Sequence, residues 1–278
     1  MRTVTSRPLK TLGPKAAHLV AELHERGRQV FTLRDVETVL KLNPALARSL
    51  AAQLVGRGIV SRLKPGLFVL VPFELGHERQ YLGNPYVVAR ALVGGEKYYL
   101  SHASAMDVHQ MTTQPQLVVY LTTLRPRRRR MVHGTEFRFV SCRRSHFFGT
   151  TTHWVEKDEQ VTVSDPERTI IDGLHRPDCC GGIVEVAKGF RMRQRALDPD
   201  RLAAYALRLG IGAVIRRLGF LLDLWNVDAP KAQTQLQDRL TAAYMRLDPG
   251  LPAEGRFLRR WRLRLNVTPE ELQAAART

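Results

Sequence analysis

The chain has 278 residues, 44% of them hydrophobic and 25% charged, which is the make-up of a folded globular protein of one large or two ordinary domains. Its 43 Lys and Arg against 26 Asp and Glu leave a net +17, a field that draws polyanions and points to nucleic acid or an anionic membrane surface as partner. Its apolar runs are too short or too charged to cross a bilayer (AVIRRLGFLLDLW carries two adjacent arginines). The opening MRTVTSRPLK lacks an apolar signal-peptide core, and the three cysteines Cys142, Cys179 and Cys180 suit reduced thiols, so a cytoplasmic protein without a disulfide framework is expected.

Pro14 to Arg26 places Ala16, Leu19, Val20 and Leu23 at helical spacing and breaks at Gly27, which predicts a first helix. A second, short helix is predicted from Thr32, whose cap partner Asp35 lies three residues on, through Val36, Val39 and Leu40. Asn43-Pro44 then pairs a good cap with proline at the first helical position. The third helix this opens carries a Leu46, Leu50, Leu54 stripe and ends at Gly56 and Gly58. Its other face, made of Ala45, Arg48, Ser49, Ala52 and Gln53, alternates small side chains with long polar ones, so a backbone could approach a groove while Arg48, Ser49 and Gln53 reach bases or phosphates. IVSRL and LFVLV, joined by Lys64-Pro65-Gly66, then predict a β-hairpin.

Three short helices followed by a basic hairpin predict a winged helix-turn-helix over residues 1–73. That segment holds 12 Lys and Arg against 4 Asp and Glu, the densest excess in the chain. Arg34 and Lys41 flank the second helix, and Arg62 and Lys64 sit at the wing; these four are the expected phosphate contacts.

Residues 74–278 predict a larger α+β domain, strand-rich over 95–165 and helix-rich over 166–278. Pro85 to Leu92 is a short helix, YYLSHASAMDVHQ a strand end running into another, and QLVVYLTTL, TEFRFVSC and EQVTVSD are strands. Asp165-Pro166-Glu167 opens a helix with a cap, a first-turn proline and an acid at the positive end of the helix dipole. More helices are expected at about 182–195, 199–210, 213–226 and 231–246.

Taken in order, SRLKPGLFVLV, YYLSHASAMDVHQMT, QLVVYLTT, VSDPERTIIDGL with its Gly-Gly-plus-helix sequel, and LDPGLPAEGRFLRRWRLRLNV make the chain resemble the AbiEi-type antitoxin family of type IV toxin-antitoxin and abortive-infection systems. The resemblance spans nearly the whole chain, with His109-Gln110-Met111 standing where many relatives have a glycine-containing turn. It implies a transcriptional repressor that binds inverted repeats in its own promoter, two copies per site. It also implies a nucleotidyltransferase-like toxin as functional partner, without a required tight complex. It brings no catalytic set. The alternatives are an ordinary ligand-responsive winged-helix regulator and a nucleic-acid-processing enzyme.

Other segments carry two readings each. LRPRRRR, with Arg127, Arg128, Arg129 and Arg130, is a solvated inter-strand turn or a second phosphate-binding surface. In RRWRLRL, Arg259, Arg260 and Arg262 surround Trp261 and suit a strand with one basic face, open to nucleic acid or to an acidic toxin, with Trp261 itself better suited to a core than to base stacking. Asp165, Glu167 and Asp172 could tempt a nuclease reading, but capping and a local ion pair account for them. No Cys-x-x-Cys or His-x-x-x-His spacing supports a metal site, no Gly-rich loop a cofactor, and Ser101-His102 are sequence neighbours not expected to face each other, so neither an enzyme nor a cofactor is expected.

Overall fold

A computed structural model describes residues 12–76 and 78–277. The MRTVTSRPLK segment therefore lies outside the described residues. The chain is mixed α and β, and by its contacts divides into two compact units. One takes the chain up to Glu96 together with Arg130–Phe137 and His153–Val161; the other takes Lys97–Arg129, Arg138–Thr152 and Thr162 onward. This division differs from the expected boundary at 73: the first unit continues through the segment after the hairpin and gains the tips of two later strand hairpins.

In the first unit, α1 (Pro14–Glu25) buries Ala16, Leu19, Val20 and Leu23 and is followed by β1 (Val30–Thr32). Gly27 adopts φ +61, and a Cβ there would stand 2.6 Å from that of Asp158, so only glycine permits the close approach of the 153–161 tip. The capping box opening α2 (Leu33–Leu40) is formed, with the Thr32 amide donating to Asp35 Oδ2 at 2.7 Å. Asn43 caps α3 (Pro44–Gly56), its Oδ1 accepting from the Leu46 amide at 2.9 Å. Then β2 (Val60–Lys64) and β3 (Leu67–Leu70) form an antiparallel hairpin through Pro65-Gly66, Gly66 at φ +77, and β1 completes a sheet of order β1-β3-β2. Phe31 and Phe68 stack at the centre of a core shared with Leu19, Leu23, Val36 and Leu54. α4 (Pro85–Val93) follows, capped by Asn84.

Strand β4 (Tyr98–Leu100), helix α5 (His102–Val108) and strands β5 (Val118–Thr123), β6 (Arg130–Val132), β7 (Thr135–Ser141), β8 (Thr150–Glu156) and β9 (Glu159–Ser164) come next. Within the second unit the strand order is β7-β5-β4-β9-β8, with β4 antiparallel to β5 and parallel to β9. The remaining helices are α6 (Pro166–His175), α7 (Ile183–Arg193), α8 (Pro199–Leu209), α9 (Gly212–Leu224) and α10 (Pro230–Gln237). They enclose a large core with Phe190, Leu218, Leu221 and Trp261. A three-stranded sheet of β10 (Met245–Arg246), β11 (Arg256–Leu258) and β12 (Leu263–Leu265) and a capped final helix, α11 (Pro269–Ala275), close the chain.

Two local expectations are corrected. The helix expected over 231–246 stops at Gln237, because Met245 leaves helical structure to pair with β12, its amide donating to Arg262 O at 3.0 Å. Nor is RRWRLRL one strand: Arg259 to Arg262 form the turn between β11 and β12, with Arg262 at φ +50. Trp261 drops from that turn into the core, fully buried, and donates from Nε1 to Asp223 Oδ2 at 2.7 Å. A Cβ on Gly219 of α9 would stand 2.2 Å from the Trp261 ring. Gly219→Ala should therefore cost about 1–3 kcal/mol by overpacking, whereas Gly56→Ala, with open space around its Cβ position, should be neutral or stabilising. Urea unfolding of the two variants checks the contrast, and equal midpoints would refute it.

Candidate nucleic-acid interface

Small side chains seat α3. Its buried face is Ala47, Ala51 and Leu54 rather than the expected leucine stripe, for Leu50 is only half-buried and Leu46 is 52% exposed. Methyl groups at 47 and 51 let the helix axis lie close to the core, and the same geometry turns Ala45, Arg48, Ser49, Ala52 and Gln53 outward together. All five are exposed, in two successive turns, on one face. That face offers one guanidinium, one hydroxyl and one amide among small neighbours, the donor and acceptor types that read base edges and phosphates.

Of the expected phosphate contacts, Arg34 on α2, Lys41 after α2 and Arg62 on β2 are exposed, and Arg62 lies over the Phe68 ring at 5.9 Å. Lys64 is placed differently from the other three. It is half-buried, and its Nζ donates to the Leu92 carbonyl at 3.2 Å, in the last turn of α4 where a cation meets the negative end of the helix dipole. The wing's charge is thus carried by Arg62.

Of the second set, Arg128 and Arg129 are exposed between β5 and β6 and Arg130 at the start of β6, and Arg127 lies over the Phe139 ring at 5.8 Å. Arg259 is exposed; Arg260 pairs with Asp223 at 2.9 Å, and Arg262 reaches the Tyr244 hydroxyl at 3.3 Å. Sequence reasoning missed an aromatic component here: Tyr244 and Phe257 meet edge to face at 5.0 Å, with Arg264 over Phe257 at 5.2 Å. Phe257 is 61% exposed. Alternating Arg and apolar letters around it were the available signal.

No protein-family model matches the chain, and no curated protein matches it by sequence. Its fold has a solved counterpart. The crystal structure of the RV2827C protein from Mycobacterium tuberculosis superposes with a TM-score of 0.67 over 91% of this chain and 92% of that one, at 16% identity. That likeness is one of fold.

The carboxylates at the start of α6 are engaged by protein groups. Asp165 accepts from the Arg168 amide, Arg201 and Tyr205; Glu167 accepts from the Asp198 amide and pairs with Arg201; and Asp172 pairs with Arg168 at 2.8 Å. The ion pairing differs from a local Glu167–Arg168 pair: Glu167 pairs with Arg201, remote in sequence, and Arg168 with Asp172 one turn on. Ser101 and His102 do face each other, Oγ to Nδ1 at 2.8 Å, because His102 takes the left-handed conformation at φ +53. Burial pushes the Cys179 thiol up to about 11 and raises the Cys180 thiol well above its ordinary value, which keeps both protonated and weakly nucleophilic. Among the described residues no three His, Cys, Asp or Glu side chains are grouped to hold a metal, and no helix is long and apolar enough to cross a membrane.

Lys64→Met should lower stability by about 0.5–1.5 kcal/mol through loss of its hydrogen bond, whereas Arg62→Gln, at an exposed site, should change it by less than about 0.5 kcal/mol. Chemical denaturation distinguishes them.

Proposed function

We propose that the chain is a sequence-specific DNA-binding repressor whose α1–α3 and β1–β3 form a winged helix-turn-helix, with α3 as recognition helix and the β2–β3 hairpin as wing. The observation that carries this reading is the outward face of α3, where Ala45, Arg48, Ser49, Ala52 and Gln53 are exposed together beside the exposed cations Arg34, Lys41 and Arg62. Small residues at 45 and 52 allow the helix backbone into a major groove; Arg48 and Gln53 are long enough to reach base edges; the flanking cations fix register on phosphates without reading sequence.

One recognition helix per chain covers only a few base pairs, so two copies on an inverted repeat supply the affinity and specificity that occlude a promoter. The ordered block resemblance to AbiEi-type antitoxins supports the further reading that this repressor is the autoregulating antitoxin of a type IV pair with a nucleotidyltransferase-like toxin. A nucleotidyltransferase gene beside this one is the genomic observation that reading requires.

Footprinting the full chain on the DNA upstream of its own gene tests the repressor reading, which predicts a protected inverted repeat. Arg48→Ala should weaken binding to that site by about 1–3 kcal/mol and relax one base position in each half-site. Arg62→Gln should instead weaken specific and random duplexes alike and reduce the salt slope by about one unit. Equal losses for Arg48→Ala on specific and random DNA, or no protected site, would overturn the assignment.

A further inference from the structure

The second unit contains a cavity of about 380 Å³, between strands β4, β5 and β7 on one side and α6 with the residues after α8 on another. Six of its lining residues are Tyr99, His102, Thr122, Arg143, Arg168 and Asp172. Arg168 is 2% exposed. Its Nη2 donates to Asp172 Oδ1 and to the Tyr99 hydroxyl at 3.2 Å, and its plane lies over Phe148 at 4.3 Å. Among the described residues its Nε and Nη1 have no partner, nor has Asp172 Oδ2, nor His102 Nε2. Four polar atoms of three buried side chains around one cavity thus lack a protein acceptor or donor, at a desolvation cost that native cores rarely carry.

A hydrogen-bond chain lies behind His102. Thr122 Oγ1 donates to Ser101 Oγ at 2.9 Å, and Ser101 Oγ meets His102 Nδ1 at 2.8 Å. Burial pushes the His102 pKa down to about 4, which keeps the ring neutral, and in the tautomer whose Nδ1 accepts from Ser101 the proton sits on Nε2. The left-handed backbone of His102 is the strained conformation that holds the ring there. His146 and His175 also line the cavity, and burial lowers both. The fixed charges are then Arg168 and the exposed Arg143 against Asp172, a net positive site with three unpartnered donors and one unpartnered carboxylate oxygen.

We propose that this cavity binds a phosphoryl group carrying one proton, as inorganic phosphate or as a small phosphate monoester. Its oxygens would accept from Arg168 Nε, Arg168 Nη1 and His102 Nε2, and its P–OH would donate to Asp172 Oδ2. The volume exceeds that of the bare ion and lies at the small end of metabolite sites. The carboxylate sets selectivity: sulfate, fully ionised, has no proton to give and meets Asp172 as a like charge.

Isothermal titration of the full chain at constant ionic strength tests this with inorganic phosphate, ribose 5-phosphate and sulfate as probes. One phosphate or ribose 5-phosphate per chain is expected, and the tighter of the two names the source. Sulfate should bind at least about tenfold more weakly, the factor one lost charged hydrogen bond brings. His102→Asn, a residue that tolerates the left-handed backbone, should weaken phosphate binding about tenfold or more with the unfolding midpoint retained. Asp172→Asn turns the acceptor into a donor and should erase the preference over sulfate. Arg239→Gln, exposed and outside the cavity lining, should leave binding unchanged. No saturable binding of either phosphate probe, sulfate binding as tightly as phosphate, or a folded His102→Asn chain with native affinity would each overturn the proposal.

Discussion

A guanidinium stays charged at any physiological pH, so a core that buries one must surround it with acceptors. The second unit buries three, and their partners tie its elements together. Arg216 on α9 donates to the Gly212 carbonyl and to Thr241 and Ala243, which pins the stretch that leaves α10. Its neighbour Arg217 donates to Leu174 O at 2.6 Å and to Arg246 O, holding the end of α6 and strand β10 at once, and burial pushes its pKa down to about 10. Arg168, the third, has one ion pair and one hydroxyl, and three of its five N–H bonds, on Nε and Nη1, have no protein acceptor. Among the described residues, Arg216 and Arg217 each leave only Nε without a partner, whereas Arg168 leaves both Nε and Nη1, and Arg168 lines a cavity. That difference is the reason for proposing Arg168 as a ligand-binding cation.

In the first unit the controlling constraint is the size of the side chains beneath α3. Alanines at 47 and 51 leave no room for a thicker interface, so the helix is rotated by its packing and not by the hydrophobicity of its leucines. Leu46 is left in solvent as a result. The rotation places Arg48, Ser49 and Gln53 outward together, as the proposed recognition helix requires.

Local signals were legible wherever a residue acts through its own backbone. The Thr32 to Asp35 capping box, Asn43-Pro44, Pro65-Gly66 and Asp165-Pro166 each act within four residues, and each stands where the letters put it. The end of α10 and the turn at Arg259 to Arg262 were not legible, because both are decided by pairing with β12, a partner remote in sequence. Likewise the letters do not reveal that Lys64 reaches Leu92, nor that the 130–137 and 153–161 tips join the first unit, His133 bonding Ser61 at 2.8 Å. Ser101 and His102 escaped for a different reason: adjacent side chains diverge on any regular element, and only the left-handed backbone at His102 brings them together. A cavity whose walls come from β4, β5, β7 and α6 has no signature in any one stretch of sequence.

The net charge, which first suggested a polyanion, means less than its size once the partners are known. Arg168, Arg216 and Arg217 are buried; Arg176, Arg201 and Arg260 are paired with carboxylates, and Arg90 pairs with Glu159. In the N-terminal helices and hairpin Arg26 pairs with Glu22 and Arg28 with Asp35. What remains exposed there is Lys15 on α1, and then Arg34, Lys41, Arg48, Arg57 and Arg62, which belong to α2, α3, the ends of those two helices and the hairpin. Exposed pairs are weak and screened by salt, so the paired arginines add little to a field felt at a distance. Within those N-terminal elements, the exposed cations without a carboxylate partner thus fall mainly on α2, α3, the ends of those helices and the hairpin, which is the electrostatic part of the case for the proposed α3 interface; a second exposed group, Arg128, Arg129 and Arg130, lies apart from it in sequence.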